Sequence, residues 1–81
     1  MTNKEFNKIL CKRIAELKKA RKIILEKLAY ESKISKGRLS KIERNMKEPR
    51  AYTIFKICKV LGISMKEFFN FEEMDEFLNK E

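Results

Sequence analysis

The stretch Leu25-Glu26-Lys27-Leu28-Ala29-Tyr30-Glu31, then Ser32-Lys33-Ile34, then Ser35-Lys36-Gly37-Arg38-Leu39-Ser40-Lys41-Ile42-Glu43-Arg44-Asn45 decides the fold. Leu25, Leu28 and Ala29 recur at helical spacing and predict a short helix over about residues 25–31. Ser32-Lys33-Ile34 is long enough only for a connector. Ser35 is a strong N-cap and opens a second helix over about residues 36–44. Within that helix only Leu39 and Ile42 are large and apolar, and three residues apart they share one face. A helix this polar is anchored on one side and displays the rest of its surface. Asn45 suits the left-handed residue that closes it.

Working outward, Thr2-Asn3-Lys4-Glu5 reads as a capping box for a first helix. Phe6, Leu10, Ile14 and Leu17 then form one apolar stripe, opposite Lys4, Lys8, Lys12, Lys19 and Lys22. Such a stripe suits a core. A membrane-surface helix would use it too, but would leave the rest of the chain unpacked. Downstream, Met46 to Arg50 is a loop holding the sole proline. A fourth helix is predicted over about residues 51–61, with Ile54, Ile57, Cys58 and Leu61 inward and Gly62 just past its end. Ser64-Met65-Lys66-Glu67 is a second capping box, opening a fifth helix through Phe68 and Phe69. The tail from Asn70 either continues that helix or forms a further turn or two. With two glycines and one proline in 81 residues, the chain lacks the turn residues of an all-β domain. One small all-α domain is expected.

Several chemistries are excluded. There is no histidine, so no imidazole base. Two cysteines without histidine cannot build a Cys/His zinc site within one chain. Cys11 and Cys58 lie in apolar-periodic segments with no CxxC, and are expected to be small buried residues in a reducing cytoplasm. No nucleophile–base pair, metal cluster or glycine-rich phosphate loop is present, so neither an enzyme nor a cofactor is expected. No ligand-pocket domain is evident. No apolar run exceeds four residues, and no apolar h-region follows Met1, so neither a membrane span nor a signal peptide is expected.

Charge is the positive clue. Twenty Lys and Arg oppose twelve Asp and Glu, giving +8. Residues 1–50 hold sixteen basic and six acidic side chains, whereas residues 51–81 hold four and six. A basic body with an acidic tail suits a polyanionic partner on one side. Codon bias is the alternative source, since fifteen of the twenty cations are lysine. The clustering weighs for nucleic acid: residues 33–50 alone carry seven basic and two acidic groups.

Two short helices around a short connector, the second polar and basic, form a helix-turn-helix. Leu28-Ala29, Ile34-Ser35, Leu39-Ser40-Lys41-Ile42-Glu43-Arg44-Asn45, Pro49 and Lys56-Ile57-Cys58-Lys59-Val60-Leu61-Gly62-Ile63 keep their spacing over most of the chain. This string resembles the Cro/CI-type (Xre-like) helix-turn-helix regulators. The resemblance, over about residues 9–69, implies a five-helix, lambda-repressor-like domain; the domain is expected over residues 1–69, with residues 70–81 as a short acidic-aromatic helical tail and candidate dimerisation segment. The resemblance also implies double-stranded DNA as partner, a homodimer, and transcriptional control. Controller proteins of restriction–modification systems, small phage repressors and self-repressing antitoxins are all similar. A protein-interaction module on the same fold is the alternative, favoured by Ile23-Ile24-Leu25 and the aromatic tail.

The roles divide by chemistry. Lys36, Arg38, Ser40 and Lys41 are the candidates for base edges, where Lys and Arg suit guanine O6 and N7. Lys33, Ser35, Arg44, Lys47 and Arg50 flank that helix and are the candidates for phosphate. Gly37 lets the backbone approach DNA. By the family pattern Glu43 is structural, with Lys18 of the first helix as its partner. Two departures stand out. Ile24 and Leu25 replace the cap and the polar DNA contact usual at the start of the second helix. Lys33 replaces a frequent turn glycine, which predicts a non-glycine residue in the left-handed region.

In the tail, Phe68, Phe69, Phe71, Met74, Phe77 and Leu78 are interleaved with acids. So small a domain does not readily bury six such side chains. Phe69, Phe71, Met74, Phe77 and Leu78 are therefore the candidate dimer interface.

Overall fold

A computed structural model describes residues 2–80. Six helices follow one another: α1 Asn3–Ala20, α2 Leu25–Ser32, α3 Lys36–Glu43, α4 Ala51–Leu61, α5 Met65–Phe69 and α6 Glu72–Lys80. Local chemistry sets most of their ends. Thr2, Ser35 and Ser64 accept hydrogen bonds from the backbone N–H of Glu5, Arg38 and Glu67 respectively, at 3.0–3.2 Å. Ile24 starts α2 with no side-chain cap. The C-terminal ends of α1, α3 and α4 close through left-handed residues. The Ile23 N–H reaches back to the Lys18 carbonyl around Lys22 (φ 55°), and the Met46 N–H to the Lys41 carbonyl around Asn45 (φ 58°). Ile63 does the same to Cys58 around Gly62 (φ 72°). Each is a Schellman-type closure, and buried Ile63 and half-buried Ile23 supply the apolar contact that accompanies it. Lys33 is also left-handed, at φ 60°, as its place in the turn predicts.

The core is a single cluster. Ile14, Leu28, Leu39, Ile42, Ile57 and Phe68 are wholly inaccessible, one or more from each of the first five helices. α2 packs on both α3 and α4, α1 on α3, and α4 on α5. Removing Phe68 to alanine would cost about 3–5 kcal/mol, the usual range for a buried aromatic. Two arginines, Arg13 of α1 and Arg21 just past its end, brace the C-terminal ends of later helices. Arg13 donates to the Phe68 and Glu67 carbonyls, each at 2.9 Å, and stacks 4.9 Å above the Phe71 ring. Arg21 donates to the Leu61 carbonyl at 2.8 Å.

The tail corrects one expectation. Of the apolar residues expected at an interface there, one is used up by the chain itself. The tail forms α6, which lays Met74 into the core, with Phe69, Phe71 and Phe77 half-buried against it. Lys12 reaches Glu73 at 3.4 Å and ties α6 to α1. Met74 therefore leaves the interface candidates, because its own chain covers it. Of that group Leu78 alone stays largely exposed, at 69%.

Candidate nucleic-acid interface

α3 is polar because it has a single buried side. Leu39 and Ile42 hold it to α1 and α2. Lys36, Gly37 and Lys41 are exposed, and Ser40 is partly so. The N–H groups of Lys36 and Gly37 have no partner within the described residues, as is usual in a helix's first turn. Gly37 does not need its glycine for backbone geometry, since its φ is not positive and a Cβ there would meet nothing within 4 Å. A side chain there would crowd nothing in the fold, only whatever approaches from outside.

The flanking cations surround this face. Lys33 stands in the turn before α3, while Lys47 and Arg50 lie in the loop after it, all exposed. Ser35 spends its acceptor on the Arg38 N–H and keeps its hydroxyl proton free to donate. Arg44 is exposed, with Nε 3.3 Å from the Ser40 carbonyl. Arg38 differs from the other candidates. It is half-buried, and its Nε is closed off from solvent without a hydrogen-bond partner. It lines one crevice with Lys47, Glu48 and Arg50, and another with Lys33, Ser35, Thr53 and Lys56.

Two ion pairs frame the site. Lys18 Nζ lies 2.8 Å from Glu43 Oε1, with both side chains mostly shielded. This holds the C-terminal end of α3 to α1 and turns the Glu43 carboxylate inward. Lys36 Nζ lies 3.0 Å from Glu26 Oε2, with both exposed. Sequence reasoning gave Glu26 no role. Ten residues separate the partners, so only the turn between α2 and α3 brings them together. It also missed Arg13 and Arg21, which the fold uses as braces.

A short anchored helix with a cationic outer face, set against a second helix across a tight turn, defines a DNA-binding helix-turn-helix domain. The chain belongs to the helix-turn-helix family of Cro/CI type, whose family model matches residues 14–68. No curated protein and no solved structure matches it. Members of this family are regulatory DNA-binding domains rather than typical enzymes. No helix among the described residues is long and apolar enough to cross a membrane.

Proposed function

We propose that this protein is a transcriptional regulator, a repressor or autoregulator, that reads a palindromic operator as a homodimer. The observation that carries the reading is the outer face of α3, where Lys36, Ser40 and Lys41 surround an open glycine while Leu39 and Ile42 fix the helix from behind. B-DNA's major groove admits one such helix. Lys36 and Lys41 donate to guanine, and Ser40 adds a weaker contact. Lys33, Ser35, Arg44, Lys47 and Arg50 hold phosphates on either side. Arg38 moves from the first group to the second. Half-buried Arg38 lines one crevice with Lys47, Glu48 and Arg50 and another with Lys33 and Lys56, where cations outnumber the one carboxylate, a setting that suits an anion better than a base edge.

Leu78, together with the outer edges of Phe69, Phe71 and Phe77, supports a dimer through the tail. Two-fold symmetry then sets the α3 helices about 34 Å apart, one turn of DNA. Titration against the DNA upstream of the protein's own gene, and against a scrambled duplex, tests the reading. Lys41→Ala is expected to weaken the natural site alone, and Arg50→Ala both duplexes alike. Leu78→Asp is expected to give a monomer by sedimentation and to weaken the natural site. Equal affinity of the unaltered protein for both duplexes would reject the regulator.

A second reading has one observation in its favour. Ile23, Ile24 and Leu25 line an apolar groove beside Lys18, Lys19 and Lys22, and Ile24 is 64% exposed. An acidic protein helix would fit there. Ile24→Asp weakening a protein complex while sparing DNA binding would support it.

A further inference from the structure

Lys36 is the first residue of α3, and its ammonium meets the Glu26 carboxylate at 3.0 Å. The side chains are 59% and 61% exposed, so the pair stands on the open side of the α2–α3 unit. Glu26 lies in the first turn of α2, one residue after half-buried Leu25. The hydrogen bond from Lys36 holds its carboxyl below the usual carboxylate range, so it is ionised at neutral pH. A carboxylate in this position acts in two ways. It repels the phosphates of any duplex. It also places an acceptor beside a donor at one point of the reading face. Any base edge that the Lys36 ammonium can touch lies within a few ångströms of Glu26.

In the major groove a G·C pair presents guanine N7 and O6, both acceptors, next to the cytosine N4 amino donor. Lysine complements the first two and a carboxylate the third. We propose that Glu26 is a specificity-determining residue and that it reads one G·C pair in each half-site together with Lys36. Lys36 donates to guanine O6 and N7, and Glu26 accepts from the N4 amino group of the paired cytosine. This rests on the DNA reading proposed above. The two charges stay paired with each other as water leaves, so neither is stranded in the interface. A base pair that sets an acceptor against Glu26 is rejected by repulsion, and specificity arises as much from that penalty as from the favourable contact.

The test uses the full chain, its selected operator, a random duplex, and the operator with pyrimidin-2-one, which lacks the N4 amino group, at the read cytosine. Glu26→Ala is expected to tighten binding to random DNA about twofold, the effect of removing one charge some 8 Å from a phosphate in water. It is expected to lower the operator-to-random affinity ratio about tenfold, the usual weight of one good base contact. The base analogue should weaken the unaltered protein by a similar factor and leave Glu26→Ala unaffected. If Glu26→Ala tightens both duplexes equally, or if the analogue affects both proteins alike, Glu26 is only a counter-ion for Lys36 and the proposal fails. An unaltered protein that prefers no duplex would instead remove the DNA reading itself, and this proposal with it.

Discussion

Breaking the Lys18–Glu43 pair should be costly, and unequally so from its two sides. The contact is 2.8 Å, and the side chains are only 18% and 16% exposed. Exposed pairs contribute about 0–1 kcal/mol, and stranding one member of a fully buried pair costs about 3–5 kcal/mol. This pair lies between those limits. Its surroundings set the asymmetry. Glu43 is the last residue of α3, beside carbonyls that carry the negative end of the helix dipole. Lys18 is in the last turn of α1, where a cation is favoured with or without a partner. Lys18→Met keeps the aliphatic stem and strands the carboxylate, and is expected to cost about 2 kcal/mol. Glu43→Gln keeps the shape and leaves a lysine that can extend into water, at about 1 kcal/mol. For a domain of this size the larger loss lowers Tm by about 8–16 °C. A double-mutant cycle by urea unfolding, followed by circular dichroism, measures the coupling, expected near 1 kcal/mol. Coupling below about 0.3 kcal/mol, within ordinary additivity, would refute the reasoning. So would Glu43→Gln costing more than Lys18→Met.

Other perturbations follow from the same geometry. Gly37→Ala should stabilise the fold by about 0.5–1 kcal/mol, the helix-propensity gain at an uncrowded site; its DNA affinity should fall, and unchanged affinity would show that the α3 backbone makes no close approach. Arg13→Lys loses the fork that holds the Glu67 and Phe68 carbonyls and the stacking on Phe71, at a cost of about 2 kcal/mol. Limited proteolysis should then cut the tail first, and an unchanged cleavage pattern would count against the brace. Burial pushes the Cys11 and Cys58 thiols up from their ordinary value of 9.0. The unfolded chain therefore releases these protons first, and the cysteine contribution to stability is intact below pH 9.0 and declines as pH rises past it. A Cys11→Ala/Cys58→Ala variant should lose less stability than the unaltered protein between neutral pH and pH 10, and parallel losses would contradict the burial effect.

What the sequence reveals here is what is local. Thr2, Ser35, Ser64 and Gly62 announce helix ends because a cap acts within three or four residues. Leu39 and Ile42 announce the inner side of α3 by spacing alone, and Lys33 in a glycine's place announces its own left-handed backbone. Long-range uses of charge are not legible in this way. Arg13 and Arg21 look like any other cations of a basic helix and its end until α5 and α4 bring their open carbonyls alongside. Glu26 reads as a solvated acid until the turn swings it to Lys36. The tail reads as unburied apolar surplus because composition does not say that α6 will turn back and cover Met74. The charged face of α3 was therefore visible in outline, while the partners that orient its charges were not.

The most direct measurement is selection of bound duplexes from a randomised DNA library at near-physiological salt, followed by sequencing. Enrichment of an inverted repeat whose half-sites lie about ten base pairs apart, each containing a G·C pair that Glu26→Ala ceases to prefer, is the expected result. Binding without an enriched motif, lost steadily as salt rises, would leave only phosphate attraction and would contradict sequence reading by α3.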